Sequence, residues 1–267
     1  MNVKKMRLGL IGKDVSKSDS ERIHLFILRE IGVECEYERF SVGTADFDMA
    51  MRRLMGDFDG FNVTIPYKRD VMEYLDEVKG DAFLFSAVNT VITATATGYN
   101  TDGLGFMQML SSQGVEVKDK KVLVLGMGGS GRSTAAVLKK HGATVYGYQR
   151  NQDALRETCG ELGITAIKNP NAGGYDIVVN CTGVGMHKTE GISPVEVDAF
   201  NGASVAVDLI YTPRKSEFLR LAEVQGIKII NGEAMLFYQA YYADCLYLGV
   251  EPDAVQAESL YKKFIKN

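Results

Sequence analysis

Residues 121–142 read KVLVLGMGGSGRSTAAVLKKHG, in which an apolar run leads into a glycine-rich turn and then into a helical pattern. A strand, glycines and a helix in this order let the backbone approach a pyrophosphate, whose charge is favoured by the free amides and the dipole at the helix N-terminus. The turn GMGGSGR (126–132) lacks the full G-x-G-x-x-G spacing, and its glycines could serve only to tighten a turn. The flanking strand and helix favour nucleotide binding.

The next apolar run, ATVYGYQR (143–150), ends in Arg150. An NAD-binding fold carries an acidic residue roughly 20 residues beyond its glycines, where it binds the ribose 2′-hydroxyl. A guanidinium at that place can instead bind a 2′-phosphate through paired, charge-assisted hydrogen bonds. Arg150 therefore predicts NADP rather than NAD, with a solvated arginine at a strand end as the alternative.

Strand and helix patterns alternate on both sides of this stretch. Apolar runs typical of a parallel sheet buried on both faces recur at 175–182, 203–211 and 227–232. Before residue 104 the predicted elements are strands at 7–12, 35–41 and 60–66, helices at 20–32, 44–55 and about 67–75, and a hairpin-like pair at 87–93 and 98–103. We predict an α/β fold of two domains, residues 1–103 with 237–267 and residues 104–236, in which the C-terminal helices return to the first domain.

Composition excludes several classes of function. The chain has 267 residues, 46 % hydrophobic and 24 % charged, with a formal net charge of -4, which is typical of a soluble globular protein and gives no basic excess for nucleic acid. No apolar run is long enough for a signal sequence or a membrane span, so we expect a cytoplasmic protein. Four scattered cysteines and three histidines show no metal-ligand spacing, so we expect no metal site.

Two polar stretches carry candidate proton-transfer residues. NVTIPYK (62–68) and NTDG (100–103) supply Lys68 and Asp102 from the ends of separate strand-like runs. A lysine ammonium held by a carboxylate can act as the proton donor and acceptor that interconversion of a ketone and an alcohol needs. Asp102 could equally cap the following helix, and Lys68 could lie at the surface, so both interpretations stay open at this point.

Nine strings along most of the chain make it resemble the shikimate dehydrogenase family. In order, they are SKSDS (16–20), NVTIPYK (62–68), SAVNT (86–90), GYNTDGLG (98–105), GMGGSGR (126–132), QRN (149–151), NCTGVGM (180–186), DLIYTP (208–213) and NGEAMLFYQA (231–240). The resemblance implies an N-terminal α/β substrate-binding domain, a Rossmann NADP-binding domain, and NADPH-dependent reduction of 3-dehydroshikimate to shikimate.

The resemblance also implies roles for individual residues. Lys68 and Asp102 would flank the reacting C3 oxygen, with Lys68 passing the proton. The residues expected to hold the substrate are Ser18, Ser20, Thr64, Asn89, Tyr211 and Gln239, with Asn62 a weaker candidate. The residues expected to hold the cofactor are Gly126, Gly128, Gly129, Ser130, Gln149, Arg150, Thr182, Met186 and Gly232.

The start of the chain departs from the family pattern. In GKDVSKSDSERIHL (12–25), Asp14, Lys17, Glu21 and Leu25 replace the customary proline, histidine, proline and asparagine. Two acids beside a carboxylate subsite would oppose an anionic ligand if they faced it. The alternatives are a dehydrogenase of quinate or another cyclic polyol acid using NAD or NADP, and a non-catalytic NADP-binding sensor. In either case we expect a monomer or homodimer.

Overall fold

The structure is a computed structural model that describes residues 5–266, apart from the side chain of residue 84. The chain divides into two compact units. The first unit comprises the described residues up to Gln108 together with those from Leu236 onward, and the second comprises Met109–Met235. The final helices therefore belong to the same unit as the N-terminal strands.

Helices and strands alternate along most of the chain. The helices are α1 (Ser20–Glu30), α2 (Phe47–Asp57), α3 (Asp81–Phe85), α4 (Asp102–Ser112), α5 (Gly129–Lys140), α6 (Gln152–Leu162), α7 (Glu217–Glu223), α8 (Glu233–Leu248) and α9 (Ala254–Phe264). The strands are β1 (Met6–Gly12), β2 (Cys35–Ser41), β3 (Gly60–Val63), β4 (Glu77–Val78), β5 (Thr90–Ile92), β6 (Thr97–Tyr99), β7 (Lys121–Leu125), β8 (Thr144–Tyr148), β9 (Thr165–Ala166), β10 (Ile177–Asn180), β11 (Val205–Asp208) and β12 (Lys228–Asn231). The predicted α/β class is confirmed.

The first unit contains a mixed sheet with strand order β2-β1-β3-β5-β6-β4. Strand β1 lies parallel to both β2 and β3, whereas β5 runs antiparallel to β3 and β6, which confirms the predicted hairpin. Strand β1 is central and mostly buried because its apolar residues pack on both faces of the sheet. The polar residues that follow β1 and β3 consequently emerge at the same edge of the sheet.

The prediction of a helix at about 67–75 is wrong. This stretch is a turn followed by a short 3-10 helix over Asp70–Tyr74. In an α-helix the carbonyl of Lys68 would accept from the amide of residue 72, but here it accepts from the amide of Val88 at 2.7 Å. The ring of Tyr67 is buried and its hydroxyl donates to the carbonyl of Val42 at 2.6 Å, which fixes the turn.

The second unit contains a parallel sheet with strand order β12-β11-β10-β7-β8-β9. Read in chain order, this is the 3-2-1-4-5-6 order of the Rossmann fold, and the order reverses between β7 and β10. Strands β10 and β11 are buried along their whole length, as their continuous apolar sequences predict. Ligands of such sheets bind outside the carboxyl ends of the strands at the point of reversal.

A buried, hydrogen-bonded pair of side chains joins α1 to α8 within the first unit. The Nδ1 atom of His24 lies 2.6 Å from Oδ1 of Asp244, and the two side chains are 0 % and 1 % exposed. Burial raises the pKa of Asp244, and the neighbouring His24 opposes that rise. The His24 ring stacks on Tyr37 with its centroid 4.9 Å away. Within residues 5–266, His24 Nε2 and Asp244 Oδ2 have no hydrogen-bond partner.

Among the helices within residues 5–266, none has both the length and the hydropathy that crossing a lipid bilayer requires.

Candidate active site

The glycine-rich turn after β7 forms the beginning of α5. A Cβ atom at Gly131 would lie 1.7 Å from the carbonyl oxygen of Gly126, so this glycine allows the helix to pack closely on the strand end. At Gly128 and Gly129 a Cβ atom would meet nothing within 4 Å, and the N-cap Gly128 contributes no side-chain hydrogen bond to the helix. The space beside these two glycines is therefore open to a ligand, and the first amides of a helix, here including that of Ser130, are donors that suit a pyrophosphate.

The residues after β8 lie at the same edge of the sheet, because Tyr148 pairs in register with Leu125 at the end of β7. Arg150 is exposed, and its guanidinium forms no ion pair with any residue of the range 5–266. Its neighbour Asn151 caps α6 by accepting from the amides of the next turn at 3.1 and 3.2 Å, while Gln149 accepts from Gln152 through its carbonyl. Arg150 is thus held at a fixed strand end with its cationic group available to a phosphate.

A second loop meets the glycine turn at this edge. The methyl group of Thr182 lies 2.7 Å from the position that a Cβ atom of Gly126 would occupy. Met186 follows in the same loop and is half-buried, and Gly232 comes directly after β12. A Cβ atom at Gly232 would lie 2.1 Å from the carbonyl oxygen of Leu209, so only glycine allows this close approach. The structure therefore brings the predicted cofactor residues to one edge of one sheet.

A buried aspartate that the sequence analysis missed holds the loops at this edge. Asp208 accepts hydrogen bonds from Asn180 Nδ2 at 3.0 Å, Ser216 Oγ at 2.5 Å and the amide of Ile210 at 3.0 Å. Burial raises the pKa of Asp208 to about 6, although the three donors act in the opposite direction. The available sequence signal was a polar residue ending each of two apolar strands, VVN and VAVD.

In the first unit, Lys68 and Asp102 form an ion pair. Lys68 Nζ lies 2.5 Å from Asp102 Oδ2, and the side chains are 20 % and 11 % exposed. Asp102 begins α4, and its amide donates to Oδ1 of Asn100 at 3.0 Å. Lys68 leaves the turn after β3 at the point where its carbonyl is held by Val88. The pairing left open by the sequence is therefore present, 34 residues apart along the chain.

Two amide side chains complete this cluster. Asn89 Nδ2 donates to Asp102 Oδ1 at 2.8 Å and to Gln239 Oε1 at 3.4 Å. Gln239 lies on α8, so the returning C-terminal segment contributes directly to the cluster. Lys68 holds one carboxylate oxygen of Asp102 and Asn89 holds the other. Four polar side chains thus converge, with a charged proton donor among neutral hydrogen-bonding groups.

The serine stretch lies beside the turn that carries Thr64. Ser18 Oγ donates to Ser20 Oγ at 3.0 Å, where Ser20 is the first residue of α1. The amide of Lys13 donates to the carbonyl of Ile65 at 3.1 Å, and a Cβ atom on Gly12 would lie 2.5 Å from Thr64 Cγ2. Thr64 therefore adjoins the start of the segment that carries both serines.

The two acids that replace family residues both have partners. Arg39 Nε lies 2.9 Å from Glu21 Oε2, and a second nitrogen of Arg39 donates to the carbonyl of Ser16 at 2.6 Å. Asp14 accepts from the hydroxyl and the amide of Ser16, and the hydroxyl is the main cause of a lowered pKa for Asp14. Because Glu21 is paired with a cation, its repulsion of an anionic ligand is largely offset.

Two further candidates lie elsewhere. Tyr211 belongs to the second unit and follows β11, where it is half-buried. Asn62, expected as a weaker candidate for facing the substrate, instead points into the first unit and is 5 % exposed. Its Oδ1 accepts from the hydroxyl of Tyr37 at 3.0 Å, and its Nδ2 donates to the carbonyl of Asn89 at 3.2 Å. Asn62 therefore forms internal hydrogen bonds.

Potential metal ligands and thiols are dispersed. Across residues 5–266, no three or more His, Cys, Asp or Glu side chains come together in a group that could hold a metal ion. The four cysteines are free thiols, and burial raises the pKa of Cys181 to about 12. A thiol with such a pKa is protonated and unreactive at neutral pH.

Comparisons with known proteins agree with this geometry. Residues 10–91 match a family model described as the shikimate dehydrogenase substrate binding domain, and residues 84–182 match one described as the D-isomer specific 2-hydroxyacid dehydrogenase, NAD binding domain. A shikimate dehydrogenase (NADP(+)) from Caldicellulosiruptor bescii is 36 % identical over 261 residues, covering 91 % of this chain and 90 % of the relative.

Solved structures extend the likeness to three dimensions. Shikimate 5-dehydrogenase from Thermus thermophilus, in complex with NADP(H) and shikimate, has a TM-score of 0.89 and 32 % identity, covering 97 % of this chain and 99 % of that chain. A chorismate mutase/shikimate 5-dehydrogenase fusion protein from Clostridium acetobutylicum has a TM-score of 0.91 and 33 % identity, covering 98 % of each chain. With sequence identity above 30 % over most of both chains and the same fold throughout, the chain belongs to the shikimate dehydrogenase family.

Proposed function

We propose that the protein catalyses the reversible, NADPH-dependent reduction of 3-dehydroshikimate to shikimate. The observation that carries the proposal is the ion pair between Lys68 and Asp102, at 2.5 Å, in contact with Asn89, which in turn donates to Gln239. Reduction of a ketone needs one hydride and one proton, and this cluster supplies the proton chemistry. The Rossmann sheet of the second unit supports the hydride chemistry through its glycine turn and Arg150.

The proton comes from the ammonium group of Lys68. During reduction, a C–H bond forms at C3, the carbonyl π bond breaks towards oxygen, and Lys68 Nζ transfers a proton to that oxygen. NADPH, when bound, supplies the hydride to C3. Asp102 stabilises the ammonium through Oδ2, and the neutral Lys68 left after transfer takes up a proton from solvent. In the oxidative direction the same groups act in reverse.

Neutral donors and acceptors recognise the rest of the substrate. We assign Asn89, Thr64 and Gln239 to the ring hydroxyls, and Ser18 and Ser20 to the carboxylate end. The role of Tyr211, a residue of the second unit that the family resemblance assigns to the substrate, stays a prediction. Each buried substrate oxygen then finds a hydrogen-bond partner, which supports binding of an anionic polyol. The ion pair between Glu21 and Arg39 supports this assignment, because it offsets the negative charge next to the serines.

We assign the cofactor to the second unit and the substrate to the first. The domain bounds predicted from the sequence, residues 104–236 for the cofactor and residues 1–103 with 237–267 for the substrate, stay a prediction. The amides of Gly128, Gly129 and Ser130 would hold the pyrophosphate, with Gly126 allowing the close turn. Arg150 would pair with the 2′-phosphate beside Gln149. Thr182, Met186 and Gly232 would surround the nicotinamide half. The open space over the glycines and the exposed guanidinium support this fit.

We retain two further proposals from the sequence. The protein acts in the cytoplasm, and it is a monomer or a homodimer. Cell fractionation tests the first proposal, and light scattering of the purified protein tests the second.

A steady-state assay that crosses NADP and NAD with shikimate and quinate tests the proposed activity. We expect a rise in nicotinamide absorbance with NADP and shikimate that exceeds the other three combinations. Greater turnover of quinate would identify the alternative polyol-acid dehydrogenase. Tight NADP binding without turnover of any polyol acid would contradict the proposal and favour the sensor.

A variant pair tests the role of the lysine. Lys68→Met should lower kcat by roughly a thousandfold or more, because it removes both the proton donor and the charge at the developing oxyanion. Lys79→Met is the matched control, since Lys79 is an exposed lysine paired with Glu77 in the same unit. NADPH binding should remain in both variants. Equal kcat in the two variants would refute the assignment of Lys68.

A further inference from the structure

The orientation of the Asn89 side-chain amide decides whether Asp102 receives a hydrogen bond from it. An amide side chain presents either its NH2 group or its oxygen to a neighbour, and only the NH2 group can donate to a carboxylate. Asn89 Oδ1 accepts from the amide of Thr101 at 2.9 Å and from Thr90 Oγ1 at 2.9 Å. These two donors hold the oxygen away from Asp102, so that Nδ2 donates to Asp102 Oδ1.

The hydroxyl of Thr90 is itself oriented. Asn62 Nδ2 donates to Thr90 Oγ1 at 3.4 Å, so the threonine proton is directed to Asn89 Oδ1. Asn62 is oriented in turn because its Oδ1 accepts from Tyr37 OH at 3.0 Å. Each donor in this chain points the same way, from Tyr37 through Asn62, Thr90 and Asn89 to Asp102.

We propose that Tyr37, Asn62 and Thr90 are positioning residues for proton transfer, because they form an oriented hydrogen-bond relay that fixes the Asn89 amide against the carboxylate of Asp102. This inference rests on the proposed function of Lys68 and Asp102 as the proton-transfer pair. None of the three positioning residues needs to touch substrate.

Burial keeps water away from the hydrogen bonds of the relay. Counted over the whole residue, its three positioning residues and the two residues that they orient are each at most 8 % exposed. Water therefore cannot readily replace a missing donor, and buried hydrogen bonds in series polarise one another. The far end is anchored by the His24 ring, which stacks on Tyr37 with an interplanar angle of 16°.

Loss of the Thr90 hydroxyl would leave Asn89 Oδ1 with only the two donors of Thr101, its amide at 2.9 Å and its hydroxyl at 3.3 Å. The amide of Asn89 would then be held less firmly against Asp102. A carboxylate that loses a hydrogen-bond donor takes up a proton at higher pH. The protonated form can no longer stabilise the lysine ammonium. Turnover should therefore fall, and its acidic limb should move to higher pH.

Three variants separate this effect from damage to the fold. Thr90→Val removes the hydroxyl and keeps the shape, Thr90→Ser restores the hydroxyl, and Thr97→Val is the matched control. Thr97 is a buried threonine of the same sheet whose hydroxyl donates to the carbonyl of Thr95, outside the relay. We expect Thr90→Val to lower kcat by roughly ten- to a hundredfold, which is the value of the hydrogen bond from Asn89 to the charged Asp102 that the Thr90 hydroxyl helps to orient.

Thr90→Ser keeps the hydroxyl, and Thr97→Val lies outside the relay. Both variants should therefore stay within about threefold of the original kcat, which is a change of less than about 1 kcal/mol in the activation free energy. Thr90→Val should also shift the acidic limb of the pH profile to higher pH without changing KM for NADPH. Tyr37→Phe should act in the same direction, and it provides a second test if Thr90→Val does not fold.

A readout that needs no turnover separates failure of the relay from failure of the proposed function. In ¹H–¹⁵N spectra of the free protein, the side-chain amide proton of Asn89 that donates to Asp102 should be shifted downfield and protected from exchange. Thr90→Val should remove both properties and Thr90→Ser should keep them. The relay is overturned if Thr90→Val matches Thr97→Val in spectrum, kcat and pH profile, or if Thr90→Ser is as impaired as Thr90→Val.

Discussion

Replacing Asp244 by leucine tests how strongly the buried pair between α1 and α8 stabilises the first unit. The substitution removes the one hydrogen-bond partner that His24 has within residues 5–266, and it leaves an imidazole with two unpaired nitrogens in a fully buried site. Removing one member of a buried pair costs about 3–5 kcal/mol, against a total unfolding free energy of about 5–15 kcal/mol for a typical protein. For a chain of this size the expected loss in Tm is about 6–20 °C.

The assay is urea and thermal unfolding followed by circular dichroism, since the chain contains no tryptophan. The double variant His24→Leu/Asp244→Leu should recover part of the loss, because it leaves no unpaired polar group in an apolar site. Asp153→Leu is the control, since it removes an exposed partner of Arg156 and should change stability by less than about 1 kcal/mol. The reasoning fails if Asp244→Leu is as stable as this control.

Four further results are expected. Burial raises the pKa of Asp208 to about 6 in the folded chain, whereas the unfolded chain releases this proton near 3.8. Stability relative to Asp208→Asn should therefore fall by about 2 kcal/mol as pH rises from 4 to 7 in urea titrations. Gly131→Ala should weaken NADPH binding in a fluorescence titration, because its Cβ would lie 1.7 Å from a carbonyl oxygen; unchanged affinity would refute the packing argument. Arg150→Gln should raise KM for NADPH by about tenfold or more, the value of a charge-assisted hydrogen bond, and leave KM for NADH unchanged. Arg39→Gln should raise KM for shikimate by about threefold or more, and adding Glu21→Gln should reverse this rise if the unpaired carboxylate is its cause.

The second unit was largely predictable from the sequence. Its strands are continuous apolar runs ended by turns. Such runs are typical of strands in a parallel sheet that is covered on both faces. The predicted run at 121–126 became β7, Lys121–Leu125, and the glycine turn lies where the pattern placed it. The edge strand β9 has only two exposed residues and therefore gave no apolar signal.

The polar interior of the first unit was much harder to predict. His24 and Asp244 are 220 residues apart, and nothing in either local pattern distinguishes them from surface residues. Asn62 alternates with apolar neighbours as an outward-facing residue would, yet the Tyr37 hydroxyl holds it inside. Lys68 and Asp102 were linked through the family resemblance, because a contact between loops depends on tertiary packing that local periodicity does not encode.

The return of α8 and α9 to the first unit has a consequence for synthesis on the ribosome. The residues up to Gln108 emerge first, but their partners from Leu236 onward emerge only after the whole second unit. At a translation rate of roughly 5–20 residues per second, this delay lasts on the order of 6 to 26 seconds. During this delay the nascent N-terminal segment has an incomplete core, and His24 lacks its partner Asp244. The second unit is continuous in the chain and can fold during that interval, so we expect it to fold before the first unit is complete.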